Sequence, residues 1–307
     1  LGALKNDELV YEVGKQIGVQ ANRMGVQFNF SPSVDVNVNP NNPIIGNRSF
    51  GSNPDRVAAK GIAYMNGMKA QNVLSSAKHF PGHGNTDQDS HKTLPLVPDN
   101  KADLEKYHVA PFKKMIDAGV QSIMVAHLNI PALEPDPKIP STLSKKIITD
   151  YLKGELQFKG IIITDALNMD GVAKMYPPGD VDYRAFVAGN DILLFSQNVK
   201  VGKQKIIDAI NKGEISEERL EESVKKILMA KYITGLNDLK FLDSKNIFED
   251  LNSDVNKALT TTIFEKSSTI VKNDNKVLPI KKLKQKIAFV PLEQTDYEIG
   301  RASCRER

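Results

Sequence analysis

The chain has 307 residues, of which 40% are hydrophobic and 25% charged, a globular balance that excludes a disordered or fibrous protein. Its formal net charge of +4 is too weak to indicate nucleic-acid binding, and no stripe of basic residues interleaved with aromatic ones occurs. No apolar run approaches the ~20 residues that cross a bilayer, so the sequence carries no strong membrane-binding signal.

Short apolar runs alternate with longer amphipathic runs along the chain. The apolar runs predict strands at residues 26–31, 73–80, 122–128, 160–165 and 191–196. Because these runs are continuously apolar, they indicate strands buried on both faces, as in a parallel sheet covered by helices. The amphipathic runs predict helices at residues 54–71, 101–118, 143–153, 201–211 and 216–232. Ser141 or Ser144 is the predicted N-cap of the third helix, and Ser216 that of the fifth.

Polar side chains that can take part in chemistry lie at or just after the end of each predicted strand. They are Ser31, Asp35, Lys78, His79, His127, Asp165 and Ser196. Such groups at the carboxyl ends of several successive strands are typical of a TIM-like (β/α) barrel, whereas a doubly wound sheet concentrates its ligand groups at one switch point. No G-x-G-x-x-G or P-loop motif occurs. We therefore predict an α/β protein built as a (β/α) barrel.

The composition changes after Tyr232 and predicts a domain boundary. We expect a catalytic barrel over residues 1–235, a polar linker over 236–285, the first strand of a truncated second α/β domain over 286–300, and a non-native tail over 301–307. The tail holds three of the chain's eight arginines, although the basic residues elsewhere are mostly lysine. The single cysteine, Cys304, excludes an intrachain disulfide.

The densest group of chemically useful side chains lies in residues 78–91, which hold one lysine, three of the chain's five histidines and two aspartates. Pro81 and two glycines make a helix there unfavourable, so the segment is predicted to be a strand end that continues into a loop. Asp89 can hydrogen-bond one nitrogen of His91 and raise the basicity of the other, which suits a general acid and base near neutral pH. The alternative is that these histidines only brace the loop.

Asp165 ends a fully apolar strand, where an unpaired buried carboxylate would cost several kcal/mol. It is therefore expected at the mouth of the barrel, facing a cation or a cation-like group. The oxocarbenium-like transition state of glycosyl transfer is such a partner, and a carboxylate there can attack the anomeric carbon. The alternative is an aspartate that caps the next helix.

Arg48, in a loop rich in proline and asparagine, is predicted either to bind a ligand or to attach the loop to the barrel through hydrogen bonds.

A zinc hydrolase is a competing hypothesis from another enzyme class. Its ligands would be His79, His83, Asp87, Asp89 and His91. Pro81 and Gly82 argue against it, because they break the helical spacing that paired histidine ligands normally use.

Seven motifs occur in a fixed order: FSPSVD (30–35), GNRSF (46–50), KHFPGHG (78–84), DSH (89–91), MVAH (124–127), ITDAL (163–167) and AGND (188–191). In this order they resemble glycoside hydrolase family 3, and within it the β-N-acetylglucosaminidase branch. The resemblance runs over residues 1–290, and KHFPGHG followed by DSH is its most specific part.

The resemblance implies a retaining, exo-acting enzyme that releases terminal β-linked N-acetylglucosamine from a glycan such as peptidoglycan, without a cofactor or a metal. It implies that Asp165 is the nucleophile and that His91 with Asp89 is the acid/base dyad. The implied substrate-binding residues are Arg48, Lys78, His79 and His127. Two-domain relatives are often exported or lipid-anchored, so we expect the periplasm or the cell surface, with the cytoplasm as the alternative.

Three other functions remain open on this scaffold. A histidine acid/base does not repel an incoming anion, which allows a β-N-acetylglucosaminide phosphorylase. Another β-glycosidase activity, such as that of a β-glucosidase, is the second alternative.

Family members also carry, upstream of the matched region, a strand that ends in an Asp-Gln-Glu-Gly-Gly-like segment, and this sequence does not contain it. The barrel is therefore expected to lack its N-terminal strand, and a non-catalytic glycan-binding barrel is the third alternative.

Overall fold

The structure is a computed structural model that describes residues 1–88, 93–238, 241–274, 276 and 278–280. The helices and strands of the fold lie in one compact unit, Leu1–Ser268. The unit is an α/β structure around a parallel sheet, as the apolar runs predict. The predicted second-domain strand at 286–300 and the predicted tail at 301–307 lie outside the described residues.

The sheet has four parallel strands in the order β1-β2-β3-β4. The strands are β1 (Phe28–Asn29), β2 (Leu74–Phe80), β3 (Ser122–Val125) and β4 (Ile161–Thr164). All four residues of β3 are buried, and so are all four of β4, which explains the uninterrupted apolar runs. The carboxyl ends of these strands therefore share one edge of the sheet.

The predicted strand at 191–196 is wrong as a full strand. Only Ile192 pairs with the sheet, in a parallel bridge to Ile163. Two residues later, the backbone N–H of Leu194 donates to the Thr164 side-chain hydroxyl (2.9 Å) instead of to a backbone carbonyl, so the ladder does not continue. The predicted first strand is likewise shortened to two residues. The carbonyls of Ser31 and Pro32 still accept from the N–H groups of β2, and Ser33 forms an isolated bridge to Lys78.

Ten α-helices surround the sheet within the described ranges: α1 (Asp7–Arg23), α2 (Pro54–Lys69), α3 (Lys101–Asp103), α4 (Ala110–Asp117), α5 (Asp170–Ala173), α6 (Asp180–Ala188), α7 (Val199–Asn211), α8 (Glu217–Ile233), α9 (Ile247–Leu251) and α10 (Asp254–Ser267). Short 3₁₀ turns span Gly46–Arg48, Ser141–Leu143 and Leu236–Asp238. Two of the predicted helices are widened into π-helical turns at Leu104–Val109 and Lys146–Glu155.

Side-chain caps start several of these helices. Ser216 caps α8 by accepting from the Arg219 N–H, as predicted. Of the two serines considered for the helix near 143, Ser144 accepts from the Ile147 N–H (3.2 Å). Ser141 instead donates its hydroxyl to a backbone carbonyl near the end of β3.

Helices α1 and α2 pack with their backbones in direct contact. A Cβ atom added to Gly14 would lie 2.1 Å from the carbonyl oxygen of Tyr64, and one added to Gly67 would lie 2.1 Å from that of Tyr11. Larger residues at these two positions would force the helices apart. The main core lies between this helix pair and the sheet, with the rings of Phe80 and Phe112 packed edge to face at 5.3 Å.

The segment predicted to be a linker from residue 236 contains helices α9 and α10. Arg23 of α1 donates to the Asp250 carboxylate and to the backbone carbonyls of Asp243 and Lys245, each at 2.6 Å. This segment therefore owes its order partly to a tertiary contact that its own polar sequence does not reveal. In the described part of the chain, no helix is both long enough and apolar enough to span a membrane.

Candidate active site

Four of the predicted site residues lie at the edge of the sheet where the carboxyl ends of β2, β3 and β4 meet. Lys78 and His79 lie in the last part of β2, His127 lies two residues after β3, and Asp165 comes directly after β4. Arg48 ends the 3₁₀ turn Gly46–Arg48 and reaches the same region. Residues from distant parts of the sequence thus meet where parallel strands end, which is the usual place for a site in such a fold.

His79 is the centre of a hydrogen-bonded chain at this edge. Its side chain is 7% exposed. Its Nδ1 lies 2.7 Å from Asp35 Oδ2, and its Nε2 lies 3.2 Å from Arg48 Nη2. An imidazole held on both sides in this way has a defined orientation.

Asp35 is the residue of this site whose importance the sequence did not reveal beyond its place near a strand end. It is fully buried and accepts from four donors. They are the Ser33 hydroxyl (2.8 Å), the His79 N–H (3.1 Å), the His79 ring Nδ1 (2.7 Å) and the His83 N–H (2.7 Å). Burial alone would raise the pKa of Asp35, but the neighbouring histidines outweigh it and hold the pKa well below its ordinary value. Asp35 is therefore a buried carboxylate ion.

Asp165 has one carboxylate oxygen held and one unengaged. Oδ1 accepts from the Ala166 N–H (2.9 Å), and among the described residues no donor reaches Oδ2. Burial alone would raise the pKa of Asp165, yet the imidazoles of His79 and His127 lower it, helped by the Ala166 N–H and by Lys78. The net pKa lies below the ordinary value, so the free oxygen belongs to an ionised carboxylate.

Lys78 brings a positive charge to Asp165. Burial lowers the pKa of the Lys78 ammonium, and the nearby Arg48 guanidinium lowers it further, while the carboxylates of Asp165 and Asp35 act in the opposite direction. Two cations and two carboxylates therefore share this end of the sheet. Such a set can hold a neutral, hydroxyl-rich ligand through charge-assisted hydrogen bonds.

His127 supports the end of β4. Its Nε2 lies 3.0 Å from the carbonyl oxygen of Ala166, and its Nδ1 contacts the Thr142 hydroxyl. Because a carbonyl only accepts, Nε2 carries the proton. Burial lowers the pKa of His127, and the Asp165 carboxylate opposes this shift only in part. Both nitrogens are thus engaged by described residues, and His127 fixes the backbone next to Asp165.

The acid/base pair predicted from sequence, Asp89 and His91, lies outside the described residues. The loop that leads to it is well anchored at its start: His83 Nδ1 lies 2.7 Å from the Thr86 hydroxyl, and the Asn42 amide donates to the His83 carbonyl (2.7 Å). The loop reaches the surface at Asp87.

The zinc hypothesis finds no converging ligands in the described ranges, where no group of three or more His, Cys, Asp or Glu side chains is placed to hold a metal ion. His79 is also a poor candidate, since one ring nitrogen is bonded to Asp35 and the other faces the Arg48 guanidinium. A metal cation at that nitrogen would be repelled by the arginine.

Comparisons with known proteins identify the family of the chain. Residues 1–230 match the glycosyl hydrolase family 3 N-terminal domain. The chain belongs to glycosyl hydrolase family 3. This confirms the family resemblance read from the seven motifs.

Relatives in family 3 extend the match over most of the chain. β-Hexosaminidase A of Pseudoalteromonas piscicida is 34% identical over 90% of this chain and 49% of its own length. The structure of a family 3 β-N-acetylglucosaminidase from Paenibacillus sp. str. FPU-7 is 38% identical, with a TM-score of 0.81 over 87% of this chain and 51% of that one. The structure of the β-glucoside phosphorylase BglX bound to 2FGlc is 27% identical, with a TM-score of 0.83 over 91% of this chain and 52% of that one. The chain thus spans about half the length of these relatives.

Three buried histidines predict a loss of stability in mild acid. Burial lowers the pKa of His83, His108 and His127 below the ordinary value of 6.5, and a nearby carboxylate opposes each shift only in part. A histidine whose pKa is lower in the folded state takes up its proton first in the unfolded chain. Its stabilising effect is therefore complete above pH ~6.5 and is lost as the pH falls through the lowered value.

Urea unfolding between pH 7.5 and 5.5 measures this effect. Each histidine is expected to contribute up to about 1.4 kcal/mol per pH unit to the fall in the free energy of unfolding. In His108→Leu, the free energy of unfolding should fall less steeply with decreasing pH, by the contribution of one histidine. The reason is that the fully buried His108 ring is replaced by an apolar side chain that takes up no proton. A flat pH profile of the wild-type protein would contradict the prediction.

Proposed function

We propose that this protein is a retaining, exo-acting β-N-acetylglucosaminidase that releases terminal β-linked N-acetylglucosamine from a glycan such as peptidoglycan. The observation that carries the proposal is the ionised Asp165 carboxylate at the tip of β4 beside Lys78 and His79, with one oxygen that no donor of the described residues reaches. The names of the relatives, a β-hexosaminidase and a β-N-acetylglucosaminidase, support the sugar specificity.

The proposed reaction is a double displacement. Asp165 attacks the anomeric carbon while His91, paired with Asp89, protonates the departing glycosidic oxygen, so that the C1–O bond breaks as the C1–carboxylate bond forms. His91 then takes a proton from water, whose oxygen attacks C1 and releases Asp165. Arg48, Lys78 and His79 hold the hydroxyls of the terminal sugar, and His127 keeps the end of β4 in place.

The sheet is proposed to be part of a larger (β/α) barrel. Its parallel strand order and its polar groups at the carboxyl edge are those of a barrel segment. The relatives that the chain matches are about twice as long, which leaves room for further strands and for a second α/β domain beginning near residue 286.

Phosphorolysis is a second candidate function. The structural relative described as a β-glucoside phosphorylase has the same fold over 91% of this chain, and a histidine acid/base leaves room for an anionic acceptor. In this case the same glycosyl-enzyme would form, and phosphate would replace water in the second displacement to release a sugar 1-phosphate.

One trapping experiment tests both candidates. Incubation with 5-fluoro-N-acetylglucosaminyl fluoride should add one sugar to Asp165, since the ring fluorine slows both steps and the fluoride leaving group speeds the first. Peptide mass spectrometry locates the adduct. The matched probe 5-fluoro-glucosyl fluoride, which lacks the acetamido group, should label much more slowly. Equal labelling would favour a β-glucosidase, and an adduct on another residue would overturn the assignment of Asp165.

The trapped enzyme then distinguishes the acceptors. Reactivation in buffer that is unaffected by phosphate supports hydrolysis. Reactivation that accelerates with inorganic phosphate and yields a fluorinated sugar 1-phosphate supports phosphorolysis. Absence of labelling together with tight sugar binding would favour a non-catalytic glycan-binding protein.

A further inference from the structure

The contacts of His79 determine which of its ring nitrogens carries the proton. A guanidinium group has only N–H donors, so the nitrogen that faces Arg48 at 3.2 Å must present a lone pair. That nitrogen is Nε2. The proton therefore lies on Nδ1, which is 2.7 Å from Asp35 Oδ2.

Asp35 is built to hold this proton on Nδ1. As an ionised carboxylate it can only accept hydrogen bonds, and all four of its neighbours donate to it. Two of these donors are backbone N–H groups of the β2 end and its loop, so the carboxylate cannot turn away from the imidazole without leaving them unpaired. Full burial excludes water as a substitute acceptor.

The accepting nitrogen of His79 in turn fixes Arg48. A neutral imidazole has one lone pair in the ring plane, and in this tautomer it lies on Nε2, where it accepts from Arg48 Nη2. The other N–H groups of the guanidinium and the Lys78 ammonium can donate to the hydroxyls of a sugar.

We propose that Asp35 is a positioning residue that fixes the Nδ1–H tautomer of His79, so that Nε2 accepts from Arg48 and holds this guanidinium where it can donate to a substrate hydroxyl. This inference rests on the proposed glycosidase function and deepens it. A buried carboxylate would then determine, through the imidazole, where a sugar-binding arginine lies.

The tautomer is measured without any activity assay. Long-range ¹H–¹⁵N NMR of the ¹⁵N-histidine-labelled protein at pH 7.5, with His79 assigned from the spectrum of His79→Gln, should show a protonated Nδ1 and an unprotonated Nε2. An Nε2–H tautomer, or an imidazolium, in the wild-type protein would overturn the proposal. This measurement decides the matter even if no Asp35 variant folds, and even if the protein turns over no substrate.

Asp35→Ala tests the role of the carboxylate, with Glu134→Ala as the matched control. Glu134 is also a buried carboxylate, 4% exposed, but its partners are Ser144 and Lys146. The Nδ1–H signal of His79 should be lost or shared between both nitrogens in Asp35→Ala and unchanged in Glu134→Ala. Retention of the pure Nδ1–H tautomer in Asp35→Ala would show that Asp35 does not set it.

Substrate analogues connect the tautomer to sugar binding. In a series of aryl β-N-acetylglucosaminides, one sugar hydroxyl at a time is replaced by fluorine, which is a weak hydrogen-bond acceptor. For the hydroxyl that Arg48 binds, kcat/KM of the wild-type protein should fall by about 100-fold or more. In Asp35→Ala, whose kcat/KM is already low, the same replacement should cost only a few fold. Equal penalties in both proteins would refute a link between Asp35 and the placement of Arg48.

Discussion

Asp165→Ala is expected to lower kcat by about 10⁴-fold or more, because the variant has no group that can form the glycosyl-enzyme. The fold should tolerate the change. Among the described residues, the Asp165 side chain is held only by the N–H of the next residue, and β4 itself ends at Thr164. The measurement is kcat on an aryl β-N-acetylglucosaminide, with thermal unfolding as the check on the fold.

Added azide should make this test specific for a nucleophile. The alanine leaves space where the carboxylate stood, so azide can attack C1 from the same face and give an α-glycosyl azide. The matched control is Asp170→Ala, which removes an exposed carboxylate on α5 and should keep kcat within a few fold. An Asp165→Ala variant that keeps more than a tenth of the wild-type kcat would contradict the assignment.

Asp191→Ala is expected to destabilise the protein by about 3–5 kcal/mol, the range for removing one partner of a buried ion pair. The Asp191 side chain is fully buried. It accepts from the Ser223 hydroxyl (2.5 Å), the Ile162 N–H (2.9 Å) and the Lys226 ammonium (3.2 Å). The Arg219 guanidinium lies 3.6 Å away. Loss of the Asp191 carboxylate would leave Arg219 and Lys226 of α8 without the anion that they share. It would also leave the buried Ile162 N–H of β4 unpaired.

Urea unfolding at neutral pH measures this effect. Asp170→Ala again serves as the control, because the Asp170–Lys174 pair lies on an exposed helix face and such pairs contribute only ~0.3–0.5 kcal/mol. A change below about 1 kcal/mol in Asp191→Ala would show that α8 does not depend on this network. The expected contrast between the two aspartates follows from burial and not from distance, since the exposed Asp170–Lys174 pair (2.7 Å) is shorter than the Asp191–Lys226 pair (3.2 Å).

Much of the sheet and of the site was predictable from local sequence. Continuous apolar runs predict β2, β3 and β4, because a strand that is buried on both faces has few solvent-exposed positions for polar side chains. Lys78, His79, His127 and Asp165 were recognisable because each lies at or just after the end of such a run, and parallel strands bring their carboxyl ends together. The family motifs also pointed to glycosyl hydrolase family 3, which the domain match confirms.

Other features depend on partners that are distant in sequence. Asp35 gains its place in the site from N–H groups 44 and 48 residues further along the chain. The run at 191–196 has the composition of a strand, but a hydroxyl of β4 takes the hydrogen bond that would extend its ladder. The order of the polar segment after residue 236 depends on Arg23, more than 200 residues earlier.

The sequence by itself therefore determined the fold class, the family and the strand tips where the chemistry is expected. These depend on the spacing of apolar residues and on motifs a few residues long. Only the tertiary structure decided which carboxylate is buried against His79, which nitrogen of that ring carries the proton, and which carboxylate holds α8 to the sheet. Such properties arise from hydrogen bonds between distant segments in a water-free interior, where every donor must find its acceptor.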